Sequence, residues 1–380
     1  MFRTYELRLR PNAAQRASFE YILRDSAETY NAALQERKEA WRLQRKNVGL
    51  YEQCAELTQL RKDPHFAKIA VDIQREPLRR LDRAFRAFFR RLRAGEKPGF
   101  PRFRASARYD SFLFHLPDIR ENKIRVPNVG WFNFKASQPL SGVTRTATVK
   151  RCGKRWIVRV VCDIGPAPEK RTVSNAVGID LGLKAFLTLS DGRSVDNPRW
   201  TRKHERRIAE ASRSLSRKQR RSNNRIRARE VLRRAHQRAA DARRNFTHHV
   251  SKWLIANFDL IAFEKLNIKG MVKGRMAKSI QDAAWAQLLY QAGYKAEGAG
   301  VHFIAVNPRG TSIRCSGCGE PVPKTLSDRQ HICGACGLSL DRDHNAALNI
   351  LALGNSAAGL EPSKYMPYQV CNSPAQPEES

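Results

Sequence analysis

The sequence predicts an α/β unit preceded by a small β unit that carries a helical insertion. Apolar residues alternate with period two in residues 2–9 and again from about residue 123 to 163, as expected for strands with one buried face. Between these ranges the apolar residues recur at helical spacing. After residues 165–170, short apolar runs alternate with long helical segments, which is typical of an α/β fold. With 380 residues and 41% apolar content, the chain can form two or three packed units.

The helical insertion is predicted from two stretches. Pro11 and Asn12 are a helix-start signal. The apolar face of the first helix consists of residues at helical spacing, namely Phe19, Leu23, Ala27, Tyr30 and Leu34. The second stretch intersperses aromatic residues with arginines, namely Phe85, Phe88, Phe89, Arg86, Arg90 and Arg91. One side of this stretch can therefore pack while the other faces phosphate.

The α/β unit is predicted from short strands and long helices. The predicted strands are residues 176–180, 185–189, 260–264 and 302–306, and the helices are a basic region at 199–256 and a segment around Trp285. Residues 201–250 carry 17 Lys and Arg against four Asp and Glu, with a turn predicted at Ser222, Asn223 and Asn224. A solvated helical hairpin is one interpretation, but this excess of charge favours a phosphate-facing surface.

The whole chain is strongly basic, with 70 Lys and Arg against 36 Asp and Glu and a net charge of +34. Such a charge predicts a polyanionic partner, although charge alone does not separate DNA, RNA and anionic membrane. No run of about 18 uncharged apolar residues is present, so we expect no membrane contact. The first residues lack an apolar signal core, and we therefore expect a cytoplasmic, nucleoid-associated protein with reduced thiols.

Four cysteines predict a structural zinc site. Cys315 and Cys318 form one CxxC pair, Cys333 and Cys336 form a second, and 14 residues lie between the two pairs. This spacing is close to that of zinc ribbons. Four thiolates leave no open coordination position, so the zinc is expected to be structural; a redox dithiol is the alternative. Glycines within and after both pairs are expected to form the knuckle turns, namely Gly317, Gly319, Gly334 and Gly337.

Three acids are candidates for a catalytic metal site. Asp180 ends the apolar run VGID, and Glu264 ends the run LIAFE. A carboxylate at the end of a buried strand must be paired, protonated or bound to metal, because its desolvation is costly. Asp343 lies in DRDHNAALNI, just before a predicted helix. Two Mg²⁺ ions held by clustered carboxylates would hydrolyse a phosphodiester, although each acid taken singly could be a helix cap or a surface partner.

The chain resembles a known family in motifs spread over nearly its whole length. The motifs are LRPNAAQ from Leu9, YNAAL from Tyr30, KPGFPRFR from Lys97, GIDLG with Asp180, FEKLN with Glu264, DAAW from Asp282, and the two CxxC pairs followed by DRDHNAALNI with Asp343. They resemble TnpB (OrfB), the insertion-sequence protein related to the ancestors of type V CRISPR effectors. The run TSIRC, which ends at Cys315, departs from the family's TSQxC and leaves the contact of that loop open. The family pattern favours Asp343 over Asp341 as the third acid.

The resemblance implies a division of the chain and a set of contacts. The expected parts are the first strand of a wedge-like β-barrel (1–10), a helical recognition insertion (11–120), the rest of the barrel (121–168), an RNase H-like RuvC nuclease domain (169–311), an inserted zinc ribbon (312–338), a third RuvC segment (339–354) and a flexible tail (355–380). Asp180, Glu264 and Asp343 would be the catalytic triad. Candidate nucleic-acid contacts are Tyr51 and Gln74 for a short flanking motif, and the basic residues Arg102, Arg104, Arg217, Lys218, Arg220 and Arg221.

The function implied is that of an RNA-guided endonuclease. A noncoding RNA from the element's end would pair with one DNA strand, and the Mg²⁺-dependent RuvC site of a monomer would cut the duplex beside a short motif. One alternative is a guide-free resolvase or nuclease with the same acids. A second is a zinc-ribbon nucleic-acid-binding regulator with inert acids. A strand-transfer transposase is a third, which the resemblance disfavours.

Overall fold

The structure is a computed structural model that describes residues 1–136, 138–153, 155–274, 276–325 and 328–360. The chain divides into two compact units, the first being Met1–Pro166 and the second beginning at Ala167. Within the described residues, every helix is too short or too polar to cross a membrane.

In the part that the structure describes, the first unit contains seven strands and four α-helices. In chain order they are β1 (Phe2–Leu9), α1 (Ala13–Gln44), α2 (Leu50–Leu60), α3 (Pro64–Ala67), α4 (Val71–Arg93), β2 (Ser111–His115), β3 (Ile119–Arg120), β4 (Lys123–Val126), β5 (Gly130–Lys135), β6 (Val143–Cys152) and β7 (Arg155–Asp163). Helix α1 begins at the predicted place because the side chain of Asn12 accepts a hydrogen bond from the backbone N–H of Gln15, 2.8 Å away, while the Gln15 side chain accepts from the Asn12 N–H.

The seven strands form one antiparallel sheet in the order β2-β6-β7-β1-β5-β4-β3. Its buried face packs against the helices: Phe19 of α1 stacks on Phe132 at 4.5 Å between ring centroids and contacts Phe112 and Trp156. Strands β2 and β3 stand at opposite edges and do not pair with each other in the described part of the chain. The predicted barrel is therefore a half-barrel, because these two edges stay apart.

The described residues of the second unit contain a further seven strands and six helices. In chain order they are β8 (Ala176–Asp180), β9 (Ala185–Leu189), β10 (Ser194–Asp196), α5 (Trp200–Ser216), α6 (Asn223–Asn257), β11 (Leu260–Glu264), α7 (Ile268–Met271), α8 (Ala277–Ala283), α9 (Trp285–Ala299), β12 (His302–Val306), β13 (Gln330–Ile332), β14 (Ser339–Asp341) and α10 (Arg342–Ala357). The predicted turn separates two basic helices, and Ser222 caps α6 by accepting a hydrogen bond from Arg225 N–H.

A five-stranded mixed sheet, in the order β10-β9-β8-β11-β12, forms the centre of this unit. Strands β8, β11 and β12 are parallel, and β9 and β10 are antiparallel additions. Val177, Ile179 and Ile261 belong to a core shared with α6 and α9. Leu260 and Ala262 belong to a second core with Ile350 of α10. Because side chains alternate along a strand, these two cores lie on opposite faces of the sheet. Helices α6 and α9 pack on one face, and α10 packs on the other.

The predicted start of the flexible C-terminal tail differs from the structure. A flexible tail was expected from residue 355, but α10 continues to Ala357. Asn355 is buried there, and Gly354 packs directly on Ala262 of the sheet. These contacts explain why the helix extends past the predicted boundary. Residues 361–380 of the expected tail lie outside the described residues.

Candidate active site and metal centre

Asp180 and Glu264 are brought together by strand pairing. Strands β8 and β11 are parallel, and Phe263 pairs with Ile179, so the next residue on each strand is one of the two acids. Glu264 also pairs in register with Val306 of β12. Alternation along the strands gives Asp180 the same face as Gly178, and Glu264 the same face as Ala262, which is the face covered by α10. Two carboxylates therefore meet at the carboxyl ends of adjacent strands.

Asp343 reaches this place because α10 lies unusually close to the sheet. A Cβ atom added at Gly178 would lie 2.1 Å from the carbonyl oxygen of Ala347 and 2.5 Å from the amide nitrogen of Leu351. One added at Gly354 would lie 2.3 Å from Ala262 Cβ. Glycine is therefore required at both positions for this close approach.

The two acids at the start of α10 have different places. Asp343 was expected just before the helix, but it lies within the first turn. Asp341 is the N-cap residue, and its Oδ1 accepts hydrogen bonds from the N–H groups of Asp343 at 2.8 Å and His344 at 3.3 Å. The Asp341 carboxylate therefore caps the N-terminus of α10. The negative charge of Asp343 instead raises the pKa of Asp180.

The three carboxylates form one electrostatic group. Burial, together with the negative charges of Glu264 and Asp343, raises the pKa of Asp180 to about 7, against an opposing effect of Arg342. Burial also raises the pKa of Glu264, against a hydrogen bond from Thr311. The Arg342 guanidinium lies 3.4 Å from Asp343 Oδ1. This combination of burial and like charge is typical of acids that bind a cation.

A loop between β12 and the zinc ribbon completes the site. Thr311 is buried, and its hydroxyl donates to Glu264 Oε1. Asn349 of α10 donates from Nδ2 to the carbonyl oxygens of Thr311 and Arg314, both at 2.8 Å. Asn345, which is fully buried, donates to Arg314 O at 2.8 Å and accepts from Ser316 N–H at 2.9 Å. One helix thus carries Asp343 and also fixes the loop that orients Glu264.

The four predicted cysteine ligands form one cluster. Their sulfur atoms all lie within 4.8 Å of one another, and Cys315–Cys336 and Cys318–Cys333 are each 3.6 Å apart. A tetrahedral zinc with Zn–S bonds of about 2.3 Å requires sulfur–sulfur distances of about 3.8 Å. The cluster therefore fits a zinc ribbon. Among the described residues it is the one group of three or more potential ligands this tightly gathered.

Two of the four expected knuckle glycines have the conformation that requires glycine. Gly319 and Gly337 have φ of +82° and +75°, and each donates its N–H to the carbonyl oxygen of the first cysteine in its pair at 2.9 Å. A Cβ at Gly317 would press on Leu338 at 3.3 Å, whereas one at Gly334 would meet no atom within 4 Å. Gly334 is therefore not required by space or by backbone conformation.

The ribbon is continuous with the active site. Strand β13 pairs with β14 through His331 and Leu340, and β14 ends at Asp341, directly before α10. The first knuckle is held to the same helix by Asn345. A metal ion bound by the four cysteines would therefore stabilise the position of Asp343.

The predicted nucleic-acid contacts do not all lie on the surface. Tyr51 is 87% exposed on α2, but Gln74 is only 2% exposed. The Gln74 amide accepts from Arg61 and donates to Phe66 O at 3.0 Å, so the structure places it in the interior rather than at a DNA-facing position. Gln74 lies in α4, and the direction of its side chain relative to α1 and α2 was not evident from the sequence.

The basic candidates are exposed. They are Arg102, Arg104, Arg217, Lys218, Arg220 and Arg221. The last four lie in the connection between α5 and α6. The Arg104 guanidinium lies over the Tyr30 ring at 4.9 Å, which partly commits this side chain to the protein.

Sequence reasoning missed the residues that position the acids. Thr311, Asn345 and Asn349 have no catalytic signature, and the packing role of Gly178 was not inferred. A signal was available for the asparagines, because two short amides one turn apart on a helix face need partners when buried. The partner loop could not be identified without the fold.

Two family models match the second unit and a short part of the first. A probable transposase family, OrfB of the IS605 type, matches residues 159–275. The TNB domain of Cas12f1-like proteins matches residues 285–350, which include the four cysteines and Asp343.

Several relatives are similar over much of their length. A putative RNA-guided DNA endonuclease of Streptomyces pristinaespiralis is 32% identical over 95% of this chain and 92% of its own. The putative RNA-guided DNA endonuclease InsQ of Escherichia coli K12 is 30% identical over 74% of each chain. A Cas12f1 endodeoxyribonuclease of Sulfoacidibacillus thermotolerans is 26% identical over 52% of this chain and 50% of its own.

A solved structure shares the fold. The protein in a Cas12f1–sgRNA–target DNA complex matches with a TM-score of 0.58 at 14% identity, covering 92% of this chain and 98% of that one. At this identity the similarity concerns the fold alone.

Proposed function

The chain belongs to the TnpB (OrfB) family of RNA-guided DNA endonucleases, and we propose that it cuts double-stranded DNA at a site complementary to a bound noncoding RNA. The observation that carries the proposal is the meeting of Asp180, Glu264 and Asp343 on one face of the α/β sheet. The match over 95% of the chain to an RNA-guided endonuclease extends the argument from the site to the whole molecule.

The proposed catalytic residues are the three acids. Mg²⁺ prefers carboxylate oxygens, and two such ions, when bound, supply water activation and stabilisation of the leaving oxygen in phosphodiester hydrolysis. The residues fit this role, because a cation would relieve the like-charge repulsion that raises the pKa of Asp180. Thr311 donates to Oε1 of Glu264, and within the described residues no hydrogen bond reaches Oε2. Two rigid strands and one packed helix hold the acids, so little reorganisation is needed when substrate binds.

The zinc ribbon has a supporting role in this proposal. Zn²⁺ bound by Cys315, Cys318, Cys333 and Cys336 would be closed to substrate. Its contribution would be to order the segment that leads into α10.

Sequence recognition is assigned to RNA. In such a mechanism base pairing reads the target, and protein reads the backbone shape and a short flanking motif. We assign the half-barrel of the first unit to the wedge and its helices to the recognition insertion. Tyr51 remains a candidate contact to the motif. The exposed basic residues, Arg217 and Lys218 among them, are assigned to phosphate contacts of a nucleoid-associated protein acting as a monomer.

If the chain were only a nucleic-acid-binding regulator, the three acids would have no function. Burying Asp180 beside two other carboxylates costs stability, and a binding protein would gain from replacing them by neutral residues. A guide-free nuclease would keep the same acids, so experiment must separate it from the leading proposal.

The test is a plasmid-library cleavage assay with two unrelated guides. Protein with RNA from the element's end should cut beside one fixed motif, and exchanging the guide segment should move the cut to the new complement while the motif stays unchanged. The matched control is Asp180→Ala with each guide, which should bind without cutting. Cuts that ignore the guide would favour the guide-free nuclease, and tight binding without any cut would favour the regulator.

A further inference from the structure

The first unit has a groove whose floor and rim are aromatic. It has a volume of about 960 Å³ and lies between the C-terminal halves of α1 and α4. We call it the aromatic groove, defined by Trp41, Phe85, Phe88, Phe89 and Phe100. The proposed nuclease mechanism makes no use of these residues.

The groove offers open aromatic surface. Trp41, Phe89 and Phe100 are 55%, 48% and 46% exposed. Phe100 contacts Phe85 and Phe88 edge-on, with ring centroids 5.5 and 5.4 Å apart, so the floor is preorganised by packing. Leaving three large aromatic side chains in water is costly, and such clustered exposure marks an interaction surface.

The charge around the groove is positive and only partly compensated. Asp82 is shared by two arginines, with Arg37 at 3.7 Å and Arg86 at 2.7 Å. Lys38, Arg42 and Lys46 also line the groove. Aromatic platforms interleaved with cationic side chains are the chemistry that binds single-stranded nucleic acid, in which bases stack and phosphates meet the cations.

We propose that the aromatic groove binds unpaired nucleotides of RNA by base stacking. Two carboxylates line this mainly basic groove, and Asp82 is already paired with two arginines. The ribose is favoured over deoxyribose because the other, Glu39, accepts from Gln35 through Oε1, and within the described residues no hydrogen bond reaches its Oε2, which can accept from a 2′-hydroxyl. The inference that this RNA is the bound guide RNA rests on the proposed function. Binding of RNA in the groove does not require that function.

The experiment is photo-crosslinking of the full chain to a short oligouridylate carrying 5-iodouracil, at raised salt so that phosphate contacts elsewhere are weakened. Mass spectrometry should map the crosslink to Trp41 or Phe89. Trp41→Ala/Phe89→Ala should abolish it and weaken binding by at least about fivefold, since each stacked base contributes measurably. The control is Tyr290→Ala, which removes an aromatic side chain 74% exposed on α9, outside the groove, and should change neither result.

Two further probes separate base stacking from phosphate binding and test the preference for ribose. An abasic oligoribonucleotide should bind the double variant and the unchanged protein equally, because it carries phosphates but no bases. The deoxy analogue should bind the unchanged protein several-fold more weakly than RNA, and Glu39→Ala should remove that preference.

Several results would overturn the proposal. Crosslinks that map only elsewhere would exclude base stacking in the groove, and equal binding of RNA and DNA would exclude the ribose assignment. Self-association lost in the double variant, with crosslinks unchanged, would show that the groove receives a second copy of the chain. Because no cleavage is measured, failure of guided cutting would leave a mapped crosslink standing, and loss of the crosslink would leave guided cutting standing.

Discussion

At the scale of single residues, the candidate site contains acids that are proposed to bind metal and other groups that position those acids. Asp341 and Asp343 are two residues apart, yet one caps α10 and the other is directed at Asp180. Thr311 touches Glu264 without being an acid itself. Each role gives a distinct expectation for substitution.

The two acids at the start of α10 predict opposite outcomes for the same Asp→Asn substitution. Asp343→Asn should abolish DNA cleavage, because it removes a negative ligand, while binding to nucleic acid is retained. Asp341→Asn should keep most of the activity, because asparagine caps a helix about as well as aspartate. Cleavage and binding assays in Mg²⁺ measure both, and loss of activity only in the Asp341 variant would reverse the assignment.

The three catalytic candidates should also act as a unit. Asp180→Ala and Glu264→Ala should each stop cleavage, and the double variant should be little worse than either, because removing one ligand already destroys the metal site. Single-turnover cleavage rates test this. Additive losses would indicate that the acids act independently.

Removing the Thr311 hydroxyl is predicted to lower the cleavage rate only in part and to raise the Mg²⁺ requirement. Thr311→Val keeps the shape of the side chain but removes the hydroxyl that donates to Glu264, so cleavage should fall about 10-fold or more, with a raised Mg²⁺ requirement. Thr311→Ser restores the donor and should recover most of the activity. The Mg²⁺ dependence of the cleavage rate checks the result, and equal behaviour of the Val and Ser variants would contradict it.

The raised pKa of Asp180 predicts a dependence of stability on pH when Mg²⁺ is absent. Its folded pKa of about 7 exceeds the usual value of 3.8, so the folded state holds the proton more tightly. The associated stability is present below pH 4 and is lost as pH rises through 7, by no more than about 4 kcal/mol. Asp180→Asn should therefore have the higher Tm at pH 8, and this advantage should shrink as the pH falls towards about 5.5. Thermal unfolding over this pH range, in which the thiolates keep zinc, with Mg²⁺ omitted, measures this, and no pH-dependent difference would contradict it.

At the scale of elements, the active site depends on how closely α10 lies to the sheet. Gly178 and Gly354 permit the approach, and Asn345 and Asn349 connect the helix to the loop before the ribbon. The ribbon strand β14 runs directly into the helix. The cysteine cluster and the candidate catalytic acids are therefore linked through covalent connection and packing.

The ribbon gives the prediction at this scale. Cys333→Ser should release the one zinc expected per chain and lower cleavage, because the ribbon is too small to fold on its own core. Cys54→Ser, at a half-buried thiol outside the cluster, should keep both zinc and activity. Metal analysis and cleavage assays compare the two. Full activity in a zinc-free Cys333 variant would separate the ribbon from the catalytic geometry.

At the scale of the whole molecule, the charge of +34 is expected to dominate association with nucleic acid. Affinity should fall steeply with salt, because each phosphate that the protein neutralises releases counterions. Replacing Arg217 or Arg220 by Gln should lower the slope of log K against log salt by about 0.9 for each duplex phosphate that is no longer neutralised. Arg193→Gln is the control, since that guanidinium is already paired with Asp191 at 2.6 Å and should contribute little. Equal slopes of log K against log salt for all variants would show that residues other than Arg217 and Arg220 contact the phosphates.

The sequence by itself determined the class of the fold, the two basic helices, the four clustered cysteines that fit a zinc site and the three candidate acids. Each of these rests on local information: apolar periodicity, charge density, CxxC spacing, or an acid at the end of an apolar run. Local patterns survive folding because strands and helices must bury the same faces that the sequence marks as apolar.

Only the tertiary structure decided which partners these residues meet. Parallel pairing of β8 with β11 aligned Asp180 with Glu264, and the close approach at Gly178 brought in Asp343 from far along the chain. The same level of structure placed Gln74 in the interior and left the half-barrel open. The physical reason is that register, helix direction and close backbone approach depend on contacts between segments distant in sequence, and no local pattern encodes them.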